Sequence, residues 1–181
     1  MKELSLNILD IVENSVKAGA TLTEITVREA GEILTISVKD DGCGMSPEVL
    51  RGVIDPFYTT RTTRKVGLGI PLLKMAAEQT GGGIEIESTP DDGKSEHHGT
   101  VITANFYKNH IDCAPLGDVI STLTTLIQGH PDTDFLFVHT SESFEVRLDT
   151  RELRAVLEGV PLNTYDVLVW IEGYLGEQYN G

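Results

Sequence analysis

The chain contains few of the features that mark secreted, metal-binding or membrane proteins. Only two of its 181 residues are cysteines, Cys43 and Cys113, and neither has a partner at metal-ligand spacing. Two isolated thiols argue against a disulfide framework and a zinc site, and they fit a reducing compartment. No run approaches the roughly 20 apolar residues of a membrane-spanning helix. The first residues are too rich in Glu, Asp and Asn for a secretory signal, so we expect a cytoplasmic protein without a membrane span.

Basic residues are also scarce. The chain has 14 Lys and Arg against 28 Asp and Glu, which gives a formal net charge of −14. Such a surface repels a phosphate backbone, so we expect no nucleic acid as the main partner, although a local basic cluster can hold a small anion. With 40% hydrophobic and 23% charged residues, the composition is that of an ordinary globular protein with room for a sizeable core.

Hydrophobic patterning predicts the elements of an α+β fold. An apolar, buried helix over residues 3–17 precedes a hairpin of two strands at residues 23–29 and 33–39, and a short helix starts at Pro47 with Ser46 as its cap. A helix over residues 71–80, ended by Gly81, precedes two further strands at 84–88 and 100–107. The order favours a sandwich of helices on a mixed, largely antiparallel sheet.

The remaining residues read as a second, smaller unit. After a connector near residue 110 come an amphipathic helix, a hairpin, a short helix after Thr150 and a last helix after Asn163. We therefore predict two domains, residues 1–110 and a small C-terminal α/β domain of residues 111–181, whose role the sequence does not indicate.

Four polar residues of the first helix fall at steps of three, four and three. Asn7, Asp10, Asn14 and Lys17 therefore form one narrow stripe on an otherwise apolar helix. The stripe is either a solvated face or one wall of a polar cleft, and its single-residue width favours the cleft. Asn14 suits a Mg²⁺ ion that keeps some of its waters, and Asp10 suits a carboxylate that orients a water near a terminal phosphate.

Two glycine-containing stretches add to this interpretation. In "DDGCG" a carboxylate is followed by two glycines, which suits recognition of an exocyclic amine of a flat base but is also typical of a plain turn. "VGLGI" leads directly into a helix, where exposed N–H groups at a positive helix end bind phosphate; a structural turn is the alternative. Arg61, Arg64 and Lys65 precede it in a loop that is solvated on either reading, and we expect this loop to close over phosphates as a lid.

In this order, the motifs resemble the ATP-binding domain of the GHKL superfamily: gyrase-type topoisomerases, ninety-kilodalton heat-shock chaperones, sensor histidine kinases and mismatch-repair ATPases. "DIVENSVKAGAT" followed by "DDGCGM" is similar to the mismatch-repair branch. "DPFYTTRTTRKVGLGIPLLKMAAEQTGGGIEIES" and "HGTVITANF" are closer to the histidine-kinase branch. The resemblance covers roughly residues 3–107, and it implies a Bergerat-type fold with ATP held between the helices and a mixed sheet.

The resemblance also implies roles for single residues. Asn14 matches the Mg²⁺-ligating Asn, and Lys17 falls where histidine kinases often place a basic residue near the phosphates. Asp40 matches the Asp that recognises adenine, and Thr100 matches the threonine of the final Gly-Thr pair. The remaining nucleotide-binding residues come from the boxes and the lid: Gly42, Gly44, Met45, Arg61, Arg64, Lys65, Gly67, Leu68 and Gly69.

The chain departs from the superfamily at one catalytic position. The residue four before Asn14 is a Glu in most members and the general base of the ATPases, whereas here it is Asp10, one methylene shorter. In addition, none of the five histidines lies in a dimerisation helix before the ATP domain, so we expect a protein partner or a phosphoacceptor supplied in trans.

Two functions follow from these expectations. The first is a histidine-kinase-like enzyme that binds Mg-ATP and either transfers the γ-phosphate to a partner protein, as anti-sigma-factor kinases of this superfamily do, or slowly hydrolyses ATP. The alternative is a regulatory module that holds nucleotide without turnover and changes what its lid and C-terminal domain present to a partner. DNA clamping of the mismatch-repair type is disfavoured by the net charge of −14 and the short chain.

Overall fold

A computed structural model of the chain describes residues 3–54 and 68–181. Its helices and strands follow the predicted order. The N-terminal elements are α1 (Leu4–Lys17), β1 (Leu22–Ala30), β2 (Ile33–Asp40), α2 (Pro47–Ile54), α3 (Gly69–Gln79), β3 (Gly83–Thr89) and β4 (Gly99–Tyr107). The C-terminal elements are α4 (Val119–Gly129), β5 (Asp134–Thr140), β6 (Glu145–Asp149), α5 (Thr150–Leu157) and α6 (Tyr165–Asn180).

All six strands belong to one sheet with the order β3-β4-β2-β1-β5-β6. Neighbouring strands pair antiparallel except β1 and β5, which run parallel. The sheet is therefore mixed, and the predicted α+β class and the largely antiparallel sheet are confirmed.

One face of the sheet carries the core. Along β1 and β2, buried residues such as Ile25, Val27, Ile36 and Val38 alternate with more exposed polar ones, as expected for strands covered on one side only. The buried set continues into α1, α3, α4 and α6 as a single hydrophobic cluster. The predicted burial of the first helix follows from its position between this sheet and its neighbours α3 and α4.

The C-terminal residues extend the same sheet and the same core. β5 adds to the free edge of β1, with Thr23 opposite Phe135. The first turn of α1 also depends on this part of the chain, because the amides of Leu4 and Ser5 donate to the carbonyl oxygens of Pro115 and Leu116, each at 2.8 Å. These bonds satisfy two of the amide groups that a helix start leaves without an internal partner. The division of the chain into two domains, with a separate domain over residues 111–181, stays a prediction.

Within residues 3–54 and 68–181, no helix has both the length and the apolar content needed to cross a bilayer.

Candidate nucleotide-binding site

Asp40 ends β2 beside the first helix, and three groups of the chain hold its carboxylate. The Ser15 hydroxyl donates to Oδ2 at 2.7 Å, and the amides of Gly42 and Thr100 donate to Oδ1 at 2.9 and 3.3 Å. These bonds fix the carboxylate in one orientation. An ionised carboxylate offers about two lone-pair positions on each oxygen, so Oδ1 is fully used by its two amides, whereas Oδ2, which accepts only from Ser15, can accept one further hydrogen bond.

The loop after Asp40 is held against both α1 and β3. The Cys43 amide donates to the Ala18 carbonyl at 2.9 Å, which ties the loop to the end of the helix. Gly44 has a φ of 69°, and a side chain there would overlap the backbone of Thr89. Glycine is therefore required at this position for both backbone conformation and close approach.

A small hydroxyl cluster connects this loop to β4. The Met45 amide donates to Ser88 Oγ at 2.7 Å, and Ser88 Oγ lies 2.8 Å from Thr100 Oγ1. Thr100 is buried and lies opposite Asp40 in the sheet register. The three predicted residues Asp40, Met45 and Thr100 thus belong to one hydrogen-bonded group.

The polar stripe of α1 runs from the core to the surface. Asn7 is fully buried, Asn14 is half-buried, and Asp10 and Lys17 are exposed. Within the described residues, the side chains of Asp10, Asn14 and Lys17 have no hydrogen-bond or ion-pair partner. The two polar atoms of the Asn7 side chain are likewise unpaired among those residues. Of these four residues, Asn14 and Lys17 line a cavity, whereas Asn7 and Asp10 do not.

A cavity of about 410 Å³ lies where the stripe meets the loop. This volume lies within the range of small-molecule sites. Six of the predicted site residues contribute to its wall: Asn14, Lys17, Asp40, Gly44, Met45 and Thr100. The other wall residues are Ile11, Ser15, Ala18, Cys43, Ile70 and Ile102. The cavity thus combines apolar side chains with three polar ones: the Asp40 carboxylate, the Asn14 amide and the Lys17 ammonium.

The other predicted residues lie around this cavity or apart from it. Gly42 contacts Asp40 directly, and Gly69, the first residue of α3, lies against the stripe, so that a side-chain carbon there would sit 3.3 Å from Asp10 Cβ. Leu68 is exposed and borders a different groove, beside α2 and α3. Asp10 does not contribute to the cavity wall. Arg61, Arg64, Lys65 and Gly67 lie outside the described residues.

Two site residues are absent from the sequence prediction. Ser15 is a buried serine on a helix and orients Asp40, and its polar character on an apolar helix face was the available signal. His98 donates from Nδ1 to the Gly42 carbonyl, and its Nε2 lies 3.8 Å from an oxygen of Asp91. The "HHG" stretch before Thr100 gave no such signal, because that contact spans 56 positions of sequence.

Comparison with known families assigns the fold. Residues 2–110 match the family described as histidine kinase-, DNA gyrase B-, and HSP90-like ATPase. The chain belongs to this ATPase family. Membership supports ATP binding and confirms the predicted superfamily.

The curated relatives of this ATPase-family protein include full-length kinases. The sensor histidine kinase ZraS of Klebsiella oxytoca is 32% identical over 94 residues, which cover 51% of this chain and 20% of that protein. Sporulation kinase C of Bacillus subtilis strain 168 is 33% identical over 94 residues, 50% of this chain and 22% of that protein. The chain therefore matches about a fifth of the length of such relatives.

A solved structure extends the likeness in fold. The MutL ATPase domain of Aquifex aeolicus, solved as a complex with ADP, has a TM-score of 0.56 at 16% identity, over 87% of this chain and 70% of that one. Because this coverage exceeds residues 2–110, the similarity in fold continues into the C-terminal residues.

The residues present fit a Mg-nucleotide. A side-chain carbon at Gly42 would lie 3.1 Å from Asp40 Oδ1 and 3.0 Å from Ala18, so glycine keeps this carboxylate accessible to a ligand. Within the described residues, the Asn14 amide oxygen has no partner and is a ligand type that Mg²⁺ accepts, and the Lys17 ammonium has no partner and suits phosphate oxygens. The cavity therefore combines an acceptor that suits a base amino group with groups that suit a metal ion and phosphate.

Proposed function

We propose that the protein binds Mg-ATP in the cavity between α1 and the Asp40 loop and transfers the γ-phosphoryl group to a side chain of a partner protein, with slow hydrolysis as a variant. The observation that carries this proposal is that the Asn14 amide and the Lys17 ammonium, which have no partner within residues 3–54 and 68–181, line the same cavity as the oriented Asp40 carboxylate.

On the base side, Asp40 acts as a hydrogen-bond acceptor. Its oxygens already accept hydrogen bonds from the Ser15 hydroxyl and from the amides of Gly42 and Thr100, so the carboxylate is oriented before a ligand binds. An adenine amino group is a donor that this acceptor matches, and the apolar side chains of Ile70 and Ile102 suit a flat base. Fixing the acceptor in advance reduces the ordering cost of binding.

On the phosphate side, Asn14 holds the metal and Lys17 neutralises phosphate charge. ATP supplies a transferable phosphoryl group, and Mg²⁺ offsets its negative charge. The start of α3 at Gly69 lies against the same stripe, and the positive end of this 11-residue helix favours anions nearby. The sequence expectations that Arg61, Arg64 and Lys65 belong to a lid and that Gly67 lies beside the phosphates concern residues outside the described ranges, and the proposal does not depend on them.

Asp10 takes the position of the superfamily's general base. Its side chain is exposed, has no partner among the described residues, and lies beside Gly69, one turn before Asn14. A carboxylate that lacks one methylene reaches less far toward a hydrolytic water. Transfer to a partner's hydroxyl or imidazole needs only an acceptor for its proton, and the partner brings that group to the carboxylate.

A second function is favoured by the same observation about Asp10. Because this side chain lies outside the cavity wall, nucleotide binding without turnover fits the geometry of the described residues. The protein would then act as a nucleotide-sensing regulatory module, whose ATP-bound form presents an altered surface to its partner.

One experiment separates the two functions. The pure full chain is incubated with γ-labelled ATP and Mg²⁺, alone and with candidate partner proteins, while free phosphate and protein-bound label are followed. Phosphotransfer predicts label on a partner that falls at least tenfold in Asp10→Asn and disappears in Asn14→Ala. Asp132→Asn, an exposed carboxylate in the turn after α4, is the matched control and is expected to keep full activity.

Nucleotide binding is measured in the same preparations by calorimetry. If the wild type binds Mg-ATP but releases no more free phosphate, and labels partners no more, than Asn14→Ala does, the regulatory module is the correct function and the enzyme is not. Absence of Mg-ATP binding by the folded wild-type chain would overturn both functions.

A further inference from the structure

The surface formed by α5, α6 and the loop between them exposes an unusual amount of apolar side chain. Val156 is 80% exposed, Tyr165 77% and Trp170 51%. Trp170 also stacks on Tyr174, with ring centroids 4.9 Å apart. We name this surface, which comprises the exposed apolar side chains of residues 156–174, the α5–α6 face.

The concentration is local. In the described part of the chain, eleven large hydrophobic side chains are exposed, and six of them lie between residues 156 and 174. Single exposed apolar residues are ordinary, whereas a contiguous patch marks a contact surface. Between the two helices lies a groove of about 440 Å³, lined by Leu153, Val156, Leu157, Asp166, Val167 and Trp170. The patch therefore has a depression that can receive side chains.

Two glycines on α6 support the same conclusion. Gly173 and Gly176 lie inside the helix, where glycine costs about 1 kcal/mol each relative to alanine. A side-chain carbon at either position would meet no atom within 4 Å, so no packing inside the described chain requires glycine there. Small residues on an exposed helix surface permit the close approach of another backbone.

The charge of this region is of one sign. Residues 155–181 contain no Lys, Arg or His, but they contain four acidic residues: Glu158, Asp166, Glu172 and Glu177. All four are exposed, and none has an ion-pair partner in the described residues. The nearest arginines on α5 are already engaged, because Arg151 pairs with Asp149 at 2.9 Å and Arg154 with Asp134 at 2.7 Å. Asp166 lines the groove, and the other three carboxylates lie on α6 and in the loop between α5 and α6, so the charge of residues 155–181 is entirely negative.

We propose that the α5–α6 face binds a basic amphipathic helix of another protein. Apolar side chains spaced one helical turn apart fill the groove between α5 and α6, and Lys or Arg on the flanks of that helix pair with Asp166 and the neighbouring carboxylates. A second copy of this chain fits poorly, because a symmetric contact would place the same carboxylates opposite each other.

Trp170 gives a direct measurement, since it is the only tryptophan of the chain. The probe is a synthetic tryptophan-free helix of Leu and Lys with an apolar face, titrated into the full-length protein. Burial of Trp170 predicts a blue shift of its emission that saturates with peptide. The matched peptides are the same helix with Glu in place of Lys, and a scrambled Leu/Lys sequence without an apolar face. Neither is expected to shift the emission.

Variants locate the contact on the protein, with a labelled peptide read by anisotropy. Trp170→Ala is expected to weaken binding about 30-fold and Val156→Ser about fivefold, as for central and peripheral contacts of an interface. Asp166→Asn is expected to weaken peptide binding less than these two variants do, and to reduce the dependence of the affinity on salt concentration. Ile111→Ser, at an apolar residue that is 94% exposed outside the face, is the control and keeps full affinity.

Three results would overturn the proposal. The first is equal affinity of the basic peptide for the wild type, Trp170→Ala and Val156→Ser. The second is an equal emission shift with the acidic or the scrambled peptide. The third is an emission shift that rises with protein concentration alone, together with dimers in sedimentation, which would assign the face to a second copy. None of these measurements depends on nucleotide turnover.

Discussion

Two groups of polar side chains, one around α5 and β6 and one along the stripe of α1, differ in whether the fold pairs them. Around α5 and β6, Arg147 pairs with Glu152 at 3.0 Å, and Arg151 and Arg154 pair with Asp149 and Asp134. Along α1, Asp10, Asn14 and Lys17 have no partner among the described residues. The polar groups around α5 and β6 are paired within the fold, whereas those along α1 remain available to a ligand.

The difference has an energetic meaning. A paired group contributes to the free energy of unfolding, and its removal leaves a partner unsatisfied. An unpaired group contributes little to stability and is retained for another reason, usually function. Substitutions in the two regions should therefore change different quantities: ligand affinity at α1, and stability at α5 and β6.

The largest expected effect is at Asp40. Asp40→Asn replaces an acceptor by an amide and should lower the affinity for Mg-ATP about 100-fold, the size of a lost hydrogen bond to a charged group. Isothermal titration calorimetry measures this. Asp41→Asn is the matched control: this carboxylate accepts the Thr21 and Leu22 amides outside the cavity wall, so affinity should stay unchanged. Equal losses in both variants would contradict the role of Asp40.

The contrast between regions is tested most directly by Arg154 and Asn14. Arg154→Ala removes bonds to Asp134 and to the Pro131 and Thr133 carbonyls, and should lower the free energy of unfolding by about 2 kcal/mol. Urea denaturation measures this loss, and Mg-ATP affinity should stay within twofold of the wild type.

Asn14→Ala should show the reverse pattern. It should abolish the Mg²⁺ dependence of ATP binding and change the free energy of unfolding by less than about 0.5 kcal/mol, because the side chain has no partner to lose among the described residues. A large loss of stability in Asn14→Ala would break the comparison between the two regions.

Substitution of Ser15 should have a smaller effect, on both ligand affinity and stability. Ser15→Ala removes the 2.7 Å bond to Asp40 and leaves the acceptor less well oriented. We expect a loss of about fivefold in Mg-ATP affinity and about 1 kcal/mol in the free energy of unfolding. Ser15→Thr keeps a hydroxyl and is the control; affinity that follows the volume of the side chain and not its hydroxyl would contradict the positioning role.

The smallest expected effect is on pH dependence. The hydrogen bond from the Arg151 side chain lowers the pKa of Asp149 below its usual 3.8, and burial opposes this only in part. A lowered pKa in the folded state means that the contribution to stability is complete above pH 3.8 and is lost as pH falls through the folded value. Asp149→Asn should therefore narrow the difference in unfolding free energy between pH 6 and pH 3. If the difference between the unfolding free energies at pH 6 and pH 3 is the same in Asp149→Asn as in the wild type, the role of the Asp149–Arg151 pair is contradicted.

The sequence predicted local structure well because periodicity reports it directly. The alternation in β1 and β2 and the apolar circumference of α1 each depend on near neighbours in sequence. Pairing between distant strands leaves no such trace. The β1–β5 contact joins Leu22 to Asp134, and no pattern in either strand specifies the other.

The site shows the same division. Asn14, Asp40 and Thr100 were predicted because each stands in a recognisable motif, and the structure brings all three to one cavity. Ser15 and His98 support that cavity through single contacts across the fold, which only the coordinates reveal. Leu68 belongs to a glycine-containing motif yet faces a different groove, since membership in a motif does not fix the direction of a side chain.

The parallel pairing of β1 with β5 also means that β1 has to wait for its partner strand during synthesis. β1 leaves the ribosome roughly 110 residues before its partner, which at 5–20 residues per second is roughly 6–20 s of synthesis. During this interval the nascent chain has a strand edge without its neighbour, and α1 lacks the Pro115 and Leu116 carbonyls that complete its first turn. An unpaired edge of this kind readily joins another chain. The edge of β1 therefore stays open to pairing with another chain until β5 has been synthesised.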